Sequence, residues 1–117
     1  MTQTLVRIQD AASCRFDEIY RYTRDHWGPQ QADNYITGLF DAFDGIADHR
    51  ISSRPVPAGF GIEGYFFRYK RHFVYWHWLS NGDIGIVTIL HERMHQIDRL
   101  RDDFFGKQPP DTDTANS

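Results

Sequence analysis

The pattern of apolar and polar positions is most distinctive between Glu63 and His95, where nearly every residue is aromatic, β-branched or charged. This composition is typical of a half-buried β-sheet. Two polar interruptions divide the segment. They are Lys70-Arg71-His72 and Ser80-Asn81-Gly82-Asp83, the second containing an Asn-Gly pair that favours a tight hairpin. The pattern predicts three antiparallel strands: Gly64–Lys70, Phe73–Leu79 and Ile84–His91.

Helical spacing dominates the chain before this segment. After a short alternating strand at Thr4–Gln9, Asp10 is placed to cap a helix, and Gly28-Pro29 ends that helix after Trp27. A second amphipathic helix is predicted from about Gln30 to His49. Because the connection between the two helices is so short, we expect them to pack as an antiparallel hairpin.

The remaining segments complete a single domain, which we expect to span residues 1–106. Residues 51–64 are rich in Gly, Pro and Ser and predict a surface connection. The apolar positions of residues 94–105 predict a short C-terminal helix, and the polar residues 107–117 predict a disordered tail. The predicted fold is α+β, in the order β-α-α-β-β-β, with the helical hairpin on one face of a mainly antiparallel sheet and a short C-terminal helix.

The second face of the predicted sheet has two possible roles. Its exposed Tyr and Trp side chains would mark a binding surface if nothing in the chain covered it. Alternatively, the C-terminal helix covers that face. The first possibility is the one on which the functional hypothesis below depends.

Composition is consistent with a cytoplasmic protein. Cys14 is the only cysteine of the 117 residues, which excludes an internal disulfide, and we expect it to be a core thiol. The first ten residues lack the basic and apolar pattern of a signal peptide. No window approaches the roughly 18 apolar residues that a membrane span needs.

Charge is unevenly distributed along the chain, although its net value is only −3. Residues 1–49 carry four basic and eight acidic side chains, whereas residues 50–101 carry eight basic and four acidic ones. A dedicated nucleic-acid binder is usually basic overall, so direct sequence-specific nucleic-acid binding is not expected. A polarised surface that meets a protein partner is the better interpretation.

The sequence contains one pattern that is typical of a metal site. His91-Glu92-Arg93-Met94-His95 matches the H-E-x-x-H pattern of zinc peptidases, which requires a helix to bring its two histidines one turn apart. We predict that His91 ends a strand. Extended backbone would separate the two histidines by about 13 Å, too far for one zinc ion. Neither a metal nor another cofactor is therefore expected.

Basic and histidine side chains on or beside the strands raise a second possibility, a ribonuclease site that needs no metal. Histidine can move the proton of a 2′-hydroxyl, and Lys or Arg can stabilise charge on the phosphate. In a catalytic site these side chains must point toward one place. Alternation along the strand is instead expected to place Arg68 and Lys70 on one face and Tyr69 on the other. A solvated basic rim is the alternative. The residues concerned are Arg68, Lys70, Arg71, His72, His77, His91, Arg93 and His95.

Taken together, these elements resemble the RelE/ParE superfamily of bacterial toxins from about Thr4 to Leu100. The resemblance is carried by Phe16–Tyr20, Arg54–Pro57, the hairpin Phe67–Trp76 and the strand ending Ile89–Met94. The chain is similar to ParE rather than RelE, because RelE-type ribonucleases are strongly basic. RelE-type ribonucleases also carry a catalytic Lys/Arg/Tyr or Glu/His/Tyr set around the sheet. In this chain Glu92-Arg93-Met94-His95 replaces the tyrosine or basic pair expected just beyond the last strand.

The resemblance implies a toxin of a type II toxin–antitoxin system that acts by binding, with DNA gyrase as target and a cognate antitoxin as inhibitor. No catalytic residue is expected on this interpretation. An aromatic surface with a basic rim would suit an antitoxin segment that folds on binding. The residues expected to contact target or antitoxin are Arg68, Lys70, Arg71, Tyr75, His91 and Arg93. A RelE-like, ribosome-dependent endoribonuclease and a degenerate, non-toxic binding module remain the alternatives.

Overall fold

The computed structural model describes residues 4–105 and contains three helices and five strands within that range. None of these helices is both long and apolar enough to cross a membrane. Residues 107–117, for which a disordered tail is predicted, lie outside the described part of the chain. The elements are β1 Val6–Ile8, α1 Asp10–Trp27, α2 Pro29–Ala47, β2 Arg54–Pro55, β3 Tyr65–Tyr69, β4 His72–Trp78, β5 Ile84–His91 and α3 Gln96–Phe105.

The strands form one sheet in the order β1-β5-β4-β3-β2. β1 lies parallel to β5, and the other pairs are antiparallel, so the predicted α+β fold with a mainly antiparallel sheet is confirmed. β2 was not predicted. It has only two residues, one of them a proline that cannot donate a ladder hydrogen bond, so its local sequence carries almost no strand signal.

The helical hairpin covers the first face of the sheet. Gly28 adopts a φ of 95°, which favours glycine, and Pro29 begins α2, where its missing N–H costs nothing. Asp10 lies inside the first turn of α1 and Gln9 precedes the helix, so the predicted cap is displaced by one residue. The main core lies between hairpin and sheet and includes Ile19, Leu39, Phe43, Ile46, Phe67, Val74, Trp76, Ile84, Ile86 and Ile89.

The second face is covered in part by the chain itself, so the expectation of an open face is largely wrong. α3 packs against β5, and the segment around the 3₁₀ turn Ala58–Phe60 lies over the middle of the sheet. This smaller cluster comprises Val56, Ile62, Tyr75, Val87, Leu90 and Leu100. What remains accessible is a strip at the β3 end, formed by half-buried Phe66 and Phe73 and exposed Arg68.

Polar contacts hold α3 in place. The register between β4 and β5 shifts at Tyr75 and Trp76, which pair with Thr88 and Ile86 and leave Val87 as an extra residue. The hydroxyl of Thr88 donates to the Asp103 carboxylate at 2.7 Å, and Arg15 of α1 donates to the same carboxylate at 3.1 Å. Asp103 thus ties α3 to both a central strand and the hairpin.

Candidate protein-binding surface

An arginine pair and a glutamate meet where the β3–β4 turn lies beside the end of β5. Arg68 donates to one oxygen of Glu92, and Arg71 donates to the other at 3.1 Å. The backbone N–H of Glu92 in turn donates to the Arg71 carbonyl at 2.8 Å, which holds the end of β5 against the turn. Two of the predicted contact residues are therefore brought together, with an acidic side chain between them that sequence reasoning did not place there.

Lys70 departs from the predicted alternation. It lies in the turn with a φ of 53°, so its side chain does not follow Arg68 to the second face. Its Nζ lies 5.7 Å from the centre of the Tyr69 ring and 5.9 Å from that of Tyr35, on the hairpin side. Tyr69 itself packs so closely on α2 that a Cβ at Gly38 would collide with its hydroxyl.

The half-buried His72 and Tyr35 pin this turn to α2 through a 2.6 Å hydrogen bond. Burial lowers the pKa of His72 to about 4, assisted by the neighbouring His91 and opposed by Glu92. Burial also raises the pKa of Tyr35 to about 12. Both groups are consequently neutral near pH 7, where they stabilise the turn and do not exchange protons readily.

His91 and Arg93 lie at the outer end of β5. The His91 ring is perpendicular to that of His72 at 5.1 Å between centres, and its Nδ1 accepts the Arg93 backbone N–H at 3.1 Å. The Arg93 side chain is exposed. His91 ends a strand and His95 precedes α3, where it pairs with Asp98 at 2.8 Å, so the pair lacks the continuous helix that the zinc-peptidase motif requires.

Two expectations about individual side chains are wrong. Tyr75 is only 4% exposed beneath α3, and its hydroxyl donates to Gln96 at 2.7 Å, so it does not belong to the accessible surface. Alternation along β4 turns Tyr75 toward the smaller cluster, because its neighbours Val74 and Trp76 face the main core, and α3 then buries it. Cys14 is exposed on α1 and is not a core thiol.

A groove of about 530 Å³ runs along the edge of β3, and we call it the β3 groove. Its arginines come from three separate elements: Arg50 from the loop after α2, Arg54 from β2 and Arg68 from β3. Sequence reasoning missed the first two. Their shared signal was the basic balance of residues 50–101, and Arg54 also begins the segment Arg54–Pro57 that carries the family resemblance. The complete lining is Ala42, Arg50, Ile51, Ser52, Arg54, Phe66, Phe67, Arg68, Tyr69 and Phe73.

Residues 6–96 match the family model described as ParE toxin of type II toxin–antitoxin system, parDE. The chain belongs to the ParE toxin family. The matched range includes all five strands and the helical hairpin, and also every residue of the arginine pair, the β3 groove and the pinned turn. The predicted resemblance to ParE within the RelE/ParE superfamily is thereby confirmed.

Individual relatives agree with this assignment. Two proteins named Toxin ParE1, from two strains of Mycobacterium tuberculosis, are each 28% identical over 102 residues, covering 79% of this chain and 92% of theirs. A solved chain from the chromosomal ParDE system of P. aeruginosa superposes with a TM-score of 0.61. It covers 76% of this chain and 96% of that one at 15% identity, which shows a shared fold.

Proposed function

We propose that this ParE-family toxin acts in the cytoplasm by binding DNA gyrase, and that a cognate antitoxin holds it inactive. The observation that carries the binding interpretation is the arginine–glutamate cluster at the sheet end, where exposed Arg68 on β3 and exposed Arg71 in the β3–β4 turn both donate to Glu92. Arg68, Arg71 and Arg93 are the residues proposed to contact target or antitoxin. Lys70 and His91 are proposed to flank that contact.

The electrostatics of the cluster favour binding over catalysis. A metal-free nuclease needs a group that exchanges protons near neutral pH and cations available to the phosphate. Burial moves the pKa values of His72 and Tyr35 away from neutrality, which makes these two groups poorly suited to proton transfer, and Glu92 already neutralises part of the charge on Arg68 and Arg71. This arrangement supports a surface that recognises another protein through charge and shape.

Gyrase as the target rests on the resemblance to ParE, and a biochemical assay tests it directly. Purified toxin added to gyrase and relaxed plasmid is expected to inhibit supercoiling, and addition of the antitoxin is expected to restore it. The same toxin added to translating ribosomes is expected to leave the message intact. Message cleavage with unaffected supercoiling would show that the RelE-like alternative is correct.

A variant pair separates function from folding. Arg93→Ala is expected to weaken gyrase inhibition at least tenfold because it removes an exposed cation that directly follows Glu92 at the end of β5, whereas Arg21→Ala on α1 serves as the control. Both residues are exposed, so both variants should unfold at the wild-type temperature. Absence of growth arrest when the wild-type protein is expressed without antitoxin would instead support a degenerate binding module.

A further inference from the structure

The sheet has an unfinished edge at β3. β2 pairs with Tyr65 and Phe66 only, through Pro55 and Arg54. β3 continues to Tyr69 and stays paired with β4 along its whole length on the other side. Within the described part of the chain, no strand pairs with its outer edge over residues 67–69, next to the β3 groove.

Backbone alternation identifies which residue presents the free groups. Val56 donates to the Gly64 carbonyl at 2.9 Å, so every second residue from Gly64, namely Phe66 and Arg68, directs its N–H and C=O toward β2. β2 begins at Arg54, opposite Phe66. The N–H and C=O of Arg68 have no backbone partner among residues 4–105. An incomplete edge of this kind accepts an additional strand.

Charge defines the chemistry of a segment that would fit there. The groove lining contains three arginines and no acidic side chain. Arg50 is paired with Asp48 at 2.9 Å and Arg68 with Glu92, while Arg54 forms no ion pair with any residue that the structure describes. In an added strand, the residue that pairs with Arg68 would lie in line with β2. Its side chain would project on the sheet face that carries both Arg54 and Arg68.

The opposite face of such a segment meets apolar surface. Neighbouring side chains in an added strand point to alternate faces, so the residues on either side would face the hairpin. There the groove is lined by Ala42, Ile51 and Phe67. A second copy of the toxin does not suit this site, because its own groove would bring a further set of arginines toward the first.

We propose that the free edge of β3 receives a short extended segment of the cognate antitoxin. An acidic side chain of that segment lies between Arg54 and Arg68, and apolar side chains on either side of it contact Ala42 and Ile51. The segment adds a strand in line with β2 and hydrogen-bonds to the backbone of Arg68. This inference rests on the proposed function, since it specifies how the antitoxin proposed there engages the chain.

Hydrogen exchange tests the added strand without any mutation. In ¹⁵N-labelled toxin bound to full-length antitoxin, the Arg68 amide is expected to exchange at least tenfold more slowly than in free toxin. The control is Val6 on β1, at the other edge of the sheet. Leu5 and Gln9 direct their backbone groups to β5, so alternation turns the Val6 amide outward, and its exchange should be unchanged.

Charge reversal tests the acidic contact. Arg54→Glu is expected to weaken antitoxin binding at least tenfold in calorimetric titration, and the matched reversal Arg21→Glu on α1 is expected to weaken it less than threefold. Circular dichroism of both variants should match the wild type, since both side chains are exposed. A loss that is equal in both variants would reflect overall charge and would overturn the proposed contact.

The possible results distinguish the proposed strand addition from the proposed toxin–antitoxin function. Tight antitoxin binding with unchanged Arg68 exchange and an unaffected Arg54→Glu variant overturns the strand addition while the toxin–antitoxin function stands. An antitoxin that neither binds nor relieves growth arrest overturns both. If the toxin alone forms dimers in analytical ultracentrifugation and Arg54→Glu abolishes them, the occupant is a second copy and the proposal is wrong.

Discussion

The two faces of the sheet are covered by different means. On the hairpin face, α1 and α2 bury a continuous core in which Leu39 is fully buried and Phe43 is 2% exposed. On the second face, a ten-residue helix and a loop bury a smaller cluster around Leu100 and Tyr75. The first face is held mainly by apolar contact, whereas the second also depends on the hydrogen bonds of Asp103 and Gln96.

This difference explains where the chain can accept a partner. On the hairpin side, α1 packs against β5 and α2 against β1, and side chains of β3 and β4 join the same core, while α3 covers β5 and stops short of β3. The strip of Phe66, Arg68 and Phe73 and the free edge of β3 lie in the part that α3 does not reach. The accessible surface and the residues that contribute most to stability thus lie in different parts of the same sheet. Substitutions in the two regions should therefore differ in the size and the reach of their effects.

The largest effect is expected in the hairpin core. Phe43→Ala should lower the free energy of unfolding by about 3–5 kcal/mol, because the side chain is buried and its removal leaves a cavity. Phe40→Ala is the control. Phe40 is 48% exposed and stacks on Phe16 at 4.9 Å, so about 1 kcal/mol is expected. Urea denaturation followed by circular dichroism measures both, and equal losses would contradict the assignment of the core.

Truncation under α3 should have a smaller and more local effect. Leu100→Ala is expected to cost about 2–3 kcal/mol, because Leu100 is the one residue of α3 that is fully buried in the second cluster. Amides of α3 should exchange faster, with those of the hairpin unchanged. Ile97→Ala, on the same helix but 41% exposed, should change stability by less than about 1 kcal/mol. Faster exchange throughout the hairpin would show that the two faces form one unit.

The Asp103 contacts provide the next test. Asp103→Ala should cost about 2 kcal/mol, because it leaves the buried Thr88 hydroxyl and the mostly buried Arg15 guanidinium without this acceptor. Its neighbour Asp102 is exposed, and Asp102→Ala should be close to neutral. Thermal unfolding of the two variants measures the difference. A neutral Asp103→Ala would mean that apolar contact alone holds α3.

The smallest effect concerns pH and the pinned turn. Burial depresses the pKa of His72 to about 4 in the folded state against 6.5 when it is unfolded, so between these values the unfolded chain binds more protons. Stability should therefore fall as the pH is lowered from about 6.5 to 4. For a fully buried group, a pKa shift of this size changes the free energy of unfolding by about 3 kcal/mol. We expect about 1 kcal/mol because the half-buried ring is partly solvated.

The control for this pH dependence is His72→Phe, which should lose that contribution while keeping the ring against Tyr35. Burial also lowers the pKa of His77, so the wild type and the variant must be compared over the same pH range. Denaturation midpoints at several pH values between 4 and 7 measure the difference. If both proteins lose stability equally over that interval, His72 is not responsible.

Much of the fold follows from short-range patterns. The β-branched composition of Ile84–His91 and the polar interruption before it predicted β5 with the observed bounds, and the helical period placed α2 within two residues of its observed ends. Gly28-Pro29 marked the hairpin turn because few other residues suit that backbone. Exposed basic residues beside the strands could also be identified in advance, and Arg68, Arg71 and Arg93 are exposed.

Other features of the surface depend on residues far apart in the chain. The burial of Tyr75 requires α3 to lie over it, and the position of Glu92 between two arginines requires the β3–β4 turn to reach the end of β5. The position of Lys70 depends on a left-handed turn, which strand alternation does not describe. Arg50 and Arg54 join Arg68 only when three elements meet.

The amino-acid sequence by itself determined every helix and strand except β2, their order, the family resemblance and the polarity of the two halves. Each of these is encoded in spacings of two to four residues or in local composition. Only the tertiary structure decided which part of the second face stays open. That outcome is set by the length of α3 and by contacts such as Thr88 to Asp103, which form between residues whose local sequences carry no sign of each other.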